Sequence, residues 1–194
     1  MRVATRGLLT LCLALTLPFA TARAAEPLVT EKVTSYSVEG ASADELLQQM
    51  LELGPTDYIE RRAYGMTHSL VGWTYRLLDE GTTCRLQNIE VSLELEYTLP
   101  KWEPPASAPE ELVSRWQVFM EMLLRHEHGH RDTAIQGAQV VQSTLEALPP
   151  EPSCQQMRRR ADSEGRTVMR ATLSQHAAYD RDTAHGRKQG VRFP

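Results

Sequence analysis

Beyond its first two dozen residues, this 194-residue chain has no apolar run near the ~20 residues that cross a bilayer, so no membrane-spanning helix is expected in the mature protein. The longest run, Leu8 to Phe19, is shorter than that and follows Arg2 and Arg6. With the small-x-small pattern Ala22-Arg23-Ala24 behind it, it reads as a secretory signal peptide over residues 1–24, which leaves residues 25–194 as an exported, secreted or periplasmic, chain. Basic charge is also short. Lys and Arg number 21 against 25 Asp and Glu, a formal charge of −4, and removal of Arg2, Arg6 and Arg23 takes it to about −7. Nucleic acid is therefore not an expected partner. Of three cysteines, Cys12 lies within the signal, so Cys84 and Cys154 form the one pair available to an oxidising compartment. Their disulfide would close a loop of roughly 70 residues, worth about 4 kcal/mol in the chain-entropy picture. No internal repeat is visible, and about 170 residues suit one domain with its own core.

The remaining pattern predicts an α+β domain. Lys32 to Glu39 alternates as a strand. Ser42 and Glu45 then make a capping box for a helix that carries Leu46, Met50 and Leu53 and stops at Gly54-Pro55. Met66 to Leu78 is a second strand, and Asp79-Glu80-Gly81 a turn. From Ile89 to Leu99, apolar residues alternate strictly with Glu90, Ser92, Glu94, Glu96 and Thr98, so that one face packs and the other meets water. A small antiparallel sheet is the expected arrangement. A Pro-rich connector, Lys101 to Pro109, leads into a long helix, for which Ser107 and Glu110 offer a second capping box. That helix reads through to about Ala147, with a bend expected near Gly129 or Gly137. Pro149, Pro150 and Pro152 end it, a third helix is predicted from Cys154 to about Ala177, and Tyr179 to Pro194 reads as loop or short strand.

The chemistry lies in the long helix, where Arg125-His126-Glu127-His128-Gly129-His130 contains His-Glu-x-x-His. Residues four apart share one helix face, so His126 and His130 can hold one zinc ion while Glu127 takes a proton from the metal's water. Both histidines fall on the stripe traced by Leu112, Trp116, Phe119, Leu123, Ala134 and Val141. Unpartnered imidazoles there would be costly to bury. His128 points elsewhere and reads as solvent-facing, and His68, in a predicted strand, as structural. Two histidines do not complete a catalytic zinc site, which usually takes three protein ligands and a water. His185, His176, His68, Glu164, Glu146 and Asp180 are the available third donors, Glu146 being too far along the same helix to reach back. Thr133 and Gln136 stand where a metzincin would carry its glycine and third histidine, which excludes that pattern.

Together with the helix motif, Tyr179-Asp180-Arg181-Asp182-Thr183-Ala184-His185-Gly186 resembles a bacterial family of exported proteins, domain of unknown function 922, described as predicted secreted zinc-dependent proteases. The resemblance extends over most of the mature chain and is loose before Cys84. It implies a zincin-like peptidase with His126, His130 and His185 as zinc ligands and Glu127 as general base. Tyr179 is a candidate hydrogen-bond donor to the oxyanion, or a packing residue. Asp180 and Asp182 are candidates to orient a ligand histidine or to cap a loop. The expected activity is hydrolysis of peptide bonds in a peptide or protein substrate. The rival is a zinc-binding envelope protein that recognises a partner without cleaving it and leaves Glu127 idle.

Overall fold

The computed structural model describes residues 26–57 and 60–193, so the expected signal peptide, residues 1–24, lies outside the described residues. The fold is α+β, with a three-stranded sheet and three helices. Strand β1 spans Leu28–Val38, helix α1 Ala43–Leu53, strand β2 Met66–Asp79, strand β3 Cys84–Trp102, helix α2 Glu110–Glu146 and helix α3 Cys154–Thr183; a 3-10 turn follows at Arg187–Gln189. None of the described helices is long and apolar enough to cross a membrane.

The sheet order is β1-β3-β2, with β3 in the middle. The turn after Asp79 closes the expected antiparallel hairpin, in which Asp79 pairs with Cys84 and Met66 with Thr98. The expectation of an all-antiparallel sheet is corrected at the other edge, where β1 runs parallel to β3 from Leu28↔Ser92 to Val38↔Trp102. The chain leaves β1, forms α1 and crosses to the far edge before β2, so β1 and β3 enter the sheet from the same end. Alternation along β3 sets the faces as the sequence implies. Val91, Leu93, Leu95, Tyr97 and Leu99 are buried against the helices, whereas Ser92 and Glu94 are exposed.

The capping box of α1 forms, with Glu45 N–H donating to Ser42 Oγ and the Glu45 carboxylate accepting from Ser42 N–H. The second capping box does not. Helix α2 starts after Pro109, which has no side chain able to cap it, and Ser107 lies in the preceding turn. Helix α2 is a continuous 37-residue helix through Gly129 and Gly137. Both glycines serve α3. A Cβ on Gly137 would stand 2.5 Å from Thr172 Oγ1, and one on Gly129 only 2.1 Å from the Tyr179 hydroxyl, so α3 approaches α2 where α2 has no side chains. Leu112, Trp116, Phe119, Leu123, Ala134, Val141 and Leu145 line the core face of α2, and Trp116 meets Trp102, Phe119 and Phe193 at centroid distances of 5.5, 5.6 and 5.6 Å. Cys84 and Cys154 are joined by a disulfide, and Cys84 N–H also donates to Glu151 O at 2.7 Å, so the start of α3 is tied to the start of β3.

Candidate metal centre

His126 and Glu127 are buried on α2, and His130 lies one turn on with 13 % of its side chain exposed. Helix α3 packs alongside and, contrary to its expected end near Ala177, continues to Thr183. The extension carries Tyr179 and Asp180, which with His176 just before it lie on a face turned towards α2. Asp180 Oδ1 lies 3.4 Å from His126 Nε2 and 3.1 Å from His130 Nε2. Ligand atoms of these three residues all lie within 4.8 Å of one another, the one such group of three among the described residues.

The expected third ligand, His185, stands outside this triangle. It follows the left-handed C-cap Ala184, its Nδ1 is 3.7 Å from Asp180 Oδ1, and 55 % of its side chain is exposed. The reason is the extra helical turn and a half, which sends Asp180 into the site and sets His185 at its outer side. Glu146 accepts from Gln142 far along α2, and His68 is exposed on β2 opposite Glu96. His128, expected to face solvent, is half-buried with its ring edge on Tyr97, centroids 6.0 Å apart. Tyr179 stacks on His126 at 5.1 Å and 13°, and its hydroxyl donates to the His126 carbonyl at 3.1 Å. Its proton has a second acceptor within reach, Gln189 Oε1 at 3.3 Å. Asp182 is exposed, and its carbonyl accepts from Lys188 Nζ.

Three partners emerge that sequence reasoning did not assign to the site. His126 Nδ1 lies 2.9 Å from Gln189 Oε1, an atom that can only accept, so His126 carries its proton on Nδ1. His130 Nδ1 lies 3.0 Å from His176 Nδ1. Thr67 of β2 donates to Glu127 Oε2 at 2.7 Å. A signal for His176 exists in the sequence: Thr172, His176, Asp180 and Thr183 recur in steps of four, four and three, with Tyr179 three on from His176, a helical face the polar composition obscures.

The charges respond to this geometry. Burial pushes the Asp180 carboxyl up, but hydrogen bonds from His126 and His130 and the nearby imidazoles outweigh it and hold the group well below the usual carboxylate range. Burial pulls His126 down, and hydrogen bonds to Asp180 and Gln189 with the charge of Glu127 leave it raised. Burial raises Glu127 against the lowering influence of Thr67 and the two histidines. His176 is lowered by burial and by the adjacent His130, which keeps it neutral and able to accept a proton from His130 Nδ1. With both Nδ1 atoms bonded outward, both Nε2 atoms face one Asp180 oxygen. Nε2 protons can bridge these atoms to Asp180, and a divalent cation can take their place, since two imidazoles with one carboxylate are a donor set suited to zinc.

The family model described as a bacterial protein of unknown function, DUF922, matches residues 33–186. The chain belongs to this family. The DUF922 match includes the helix motif, Asp180 and His185, and ends before Gln189. No curated protein and no solved structure shows significant similarity to the chain.

Proposed function

We propose that this DUF922 protein is an exported zinc-dependent metallopeptidase, zincin-like in placing its site on the His-Glu-x-x-His helix beside a small sheet, and that it hydrolyses peptide bonds in a peptide or protein substrate. The observation that carries the reading is the convergence of His126 Nε2, His130 Nε2 and Asp180 Oδ1 next to a buried carboxylate that is not part of the triangle. His126, His130 and Asp180 are the ligands in this proposal, Asp180 taking the place the sequence assigns to His185. Zinc held there would supply Lewis acidity to the scissile carbonyl and a water of lowered pKa.

Glu127 is the general base. Its burial raises its pKa above the ordinary carboxylate value, the direction that helps a carboxylate both accept the water's proton and return it to the leaving amine. Thr67 fixes which oxygen does so, since Oε2 is engaged and Oε1 is left for the transfer. Substrate enters from the side of Asp180 and His185, because the two motif histidines are covered by α3 and the 3-10 turn while these two residues reach solvent. Export agrees with the signal-like residues 1–24 and with the Cys84–Cys154 disulfide.

The test is zinc titration combined with digestion of a broad peptide library. Glu127→Gln should keep stoichiometric zinc and lose activity by about 10²–10⁴-fold, the usual worth of a general base. Equal turnover would remove the assigned role, and zinc binding without cleavage by the parent would favour a binding protein. In parallel, Asp180→Ala should weaken zinc binding far more than His185→Ala; the reverse order would return the third ligand to His185.

A further inference from the structure

The 3-10 turn after α3 places one side chain where it closes a ring of hydrogen bonds around His126. Gln189 Oε1 accepts from His126 Nδ1–H at 2.9 Å, Gln189 Nε2 donates to the Tyr179 hydroxyl at 3.0 Å, and that hydroxyl donates to His126 O at 3.1 Å. The Tyr179 hydroxyl also lies 3.3 Å from Gln189 Oε1, a second acceptor for its proton. An amide oxygen cannot donate, so His126 must present a proton at Nδ1, and Nε2 is the nitrogen left to face Asp180. The ring plane is fixed as well, because Tyr179 lies flat against one face of His126.

The turn itself is built to hold Gln189 in place. Gly186 and Gly190 both have positive φ, +75° and +96°, and Gln189 N–H donates to Gly186 O at 2.8 Å. Val191 N–H closes back on Gly186 O at 3.0 Å, and buried Val191 and Phe193 beyond it seat the tail in the core. The side chain thus arrives on a segment anchored on both sides. Gln189 lies beyond residues 33–186, outside the stretch that matches the family.

We propose that Gln189 is a positioning residue that locks His126 in the Nδ1–H tautomer and so prepares its Nε2 to bind zinc. This rests on the metal-centre reading above. The asymmetry with His130 supports it: His130 is oriented by His176, another imidazole that can donate or accept, whereas only His126 is held by a group that allows one tautomer. A carboxylate at position 189 would serve the same purpose, since it too only accepts. An apolar side chain would not.

Two measurements on the full mature chain decide it. Long-range ¹H–¹⁵N spectra of the zinc-free protein should show His126 protonated at Nδ1, and Gln189→Leu should release it towards the Nε2–H form that a free imidazole prefers. Competition with a chromophoric chelator should give Gln189→Leu a zinc affinity ~10–100-fold weaker, the usual loss when a ligand histidine loses its orienting partner, while Gln189→Glu keeps parental affinity or exceeds it. A parent with His126 protonated at Nε2, a Gln189→Leu protein with parental affinity, or a folded Gln189→Glu protein that loses affinity would each overturn the assignment. Should Gln189→Leu fail to fold, the parent's spectrum and Gln189→Glu still decide. A parent that binds no zinc would instead defeat the metal reading, and with it this role, even if the tautomer is as described.

Discussion

Replacing Gly129 by Ala tests how α3 is fitted to the motif helix. At an unencumbered helix-interior site this change stabilises by about 1 kcal/mol, because Ala is the better helix former. At Gly129 the new Cβ would stand 2.1 Å from the Tyr179 hydroxyl oxygen and 2.2 Å from its Cζ, against about 3.5–4.0 Å for ordinary contacts. The ring must therefore retreat by roughly 1.5 Å. It cannot slide freely, being stacked on His126 and bonded to Gln189. Forcing a side chain into packed space costs about 1–3 kcal/mol, and loss of the hydroxyl's bond to His126 O about 0.5–1.5 kcal/mol more. After the propensity gain, a net loss of about 1–3 kcal/mol is expected, a fall in Tm of about 2–12 °C for a domain of this size. Calorimetry in the presence of chelator reads the fold alone, and zinc competition then reports the disturbance to His126. A Tm that rises, as at an open helical glycine, would refute the close fit of Tyr179 against α2.

Reduction of Cys84–Cys154, or a paired Cys84→Ser/Cys154→Ser variant, should cost about 4 kcal/mol for its loop of 70 residues, read as a lower denaturant midpoint; unreduced peptides found with both thiols free would remove the bridge. Tyr36 is half-buried and donates to Tyr64 O at 2.7 Å, and its partial burial raises its pKa above the tyrosine norm. The neutral form is the one the fold favours, so the stability this group carries is full below the ordinary value near 10 and drains as pH rises towards its shifted value. Ultraviolet titration should show a slow alkaline phase coupled to unfolding that is absent from Tyr36→Phe; a Tyr36 that titrates with the exposed tyrosines would contradict its burial.

Elements whose two faces differ in polarity are legible in the sequence. β3 is read correctly because its core face is apolar and its outer face bears three glutamates, and α2 because its stripe repeats over ten turns. β1 is the contrary case. Its Leu28 and Val33 are 69 % and 65 % exposed, so alternation carries little information about the partner strand, and parallel pairing with β3 is a long-range choice made by the crossover through α1. The end of α3 is hidden for a different reason. Residues 176–183, His-Ala-Ala-Tyr-Asp-Arg-Asp-Thr, are polar because that face addresses the two motif histidines, and a hydrophobic period cannot find a helix whose inner face is a polar site. His185 enters as a ligand through the family resemblance alone, whereas the residues that converge are His126, His130 and Asp180.

The geometry of the third corner therefore depends on the register of one helix against another. His176 and Asp180, four apart, meet His130 from the same face of α3, and Thr172, one turn earlier on that face, fills the notch at Gly137. A slip of one residue along α3 would rotate Asp180 by about 100° and remove it from the triangle. Three features oppose such a slip: the disulfide and the Cys84–Glu151 bridge at the start of α3, the Thr172 contact in its middle, and Tyr179 over Gly129 near its end. Helix-borne groups hold a site more closely than loop-borne ones. The one contributor that comes from a loop, Gln189, acts on the imidazole that no residue of α3 bonds through Nδ1, so the tail supplies the orienting contact that the helix pair leaves open.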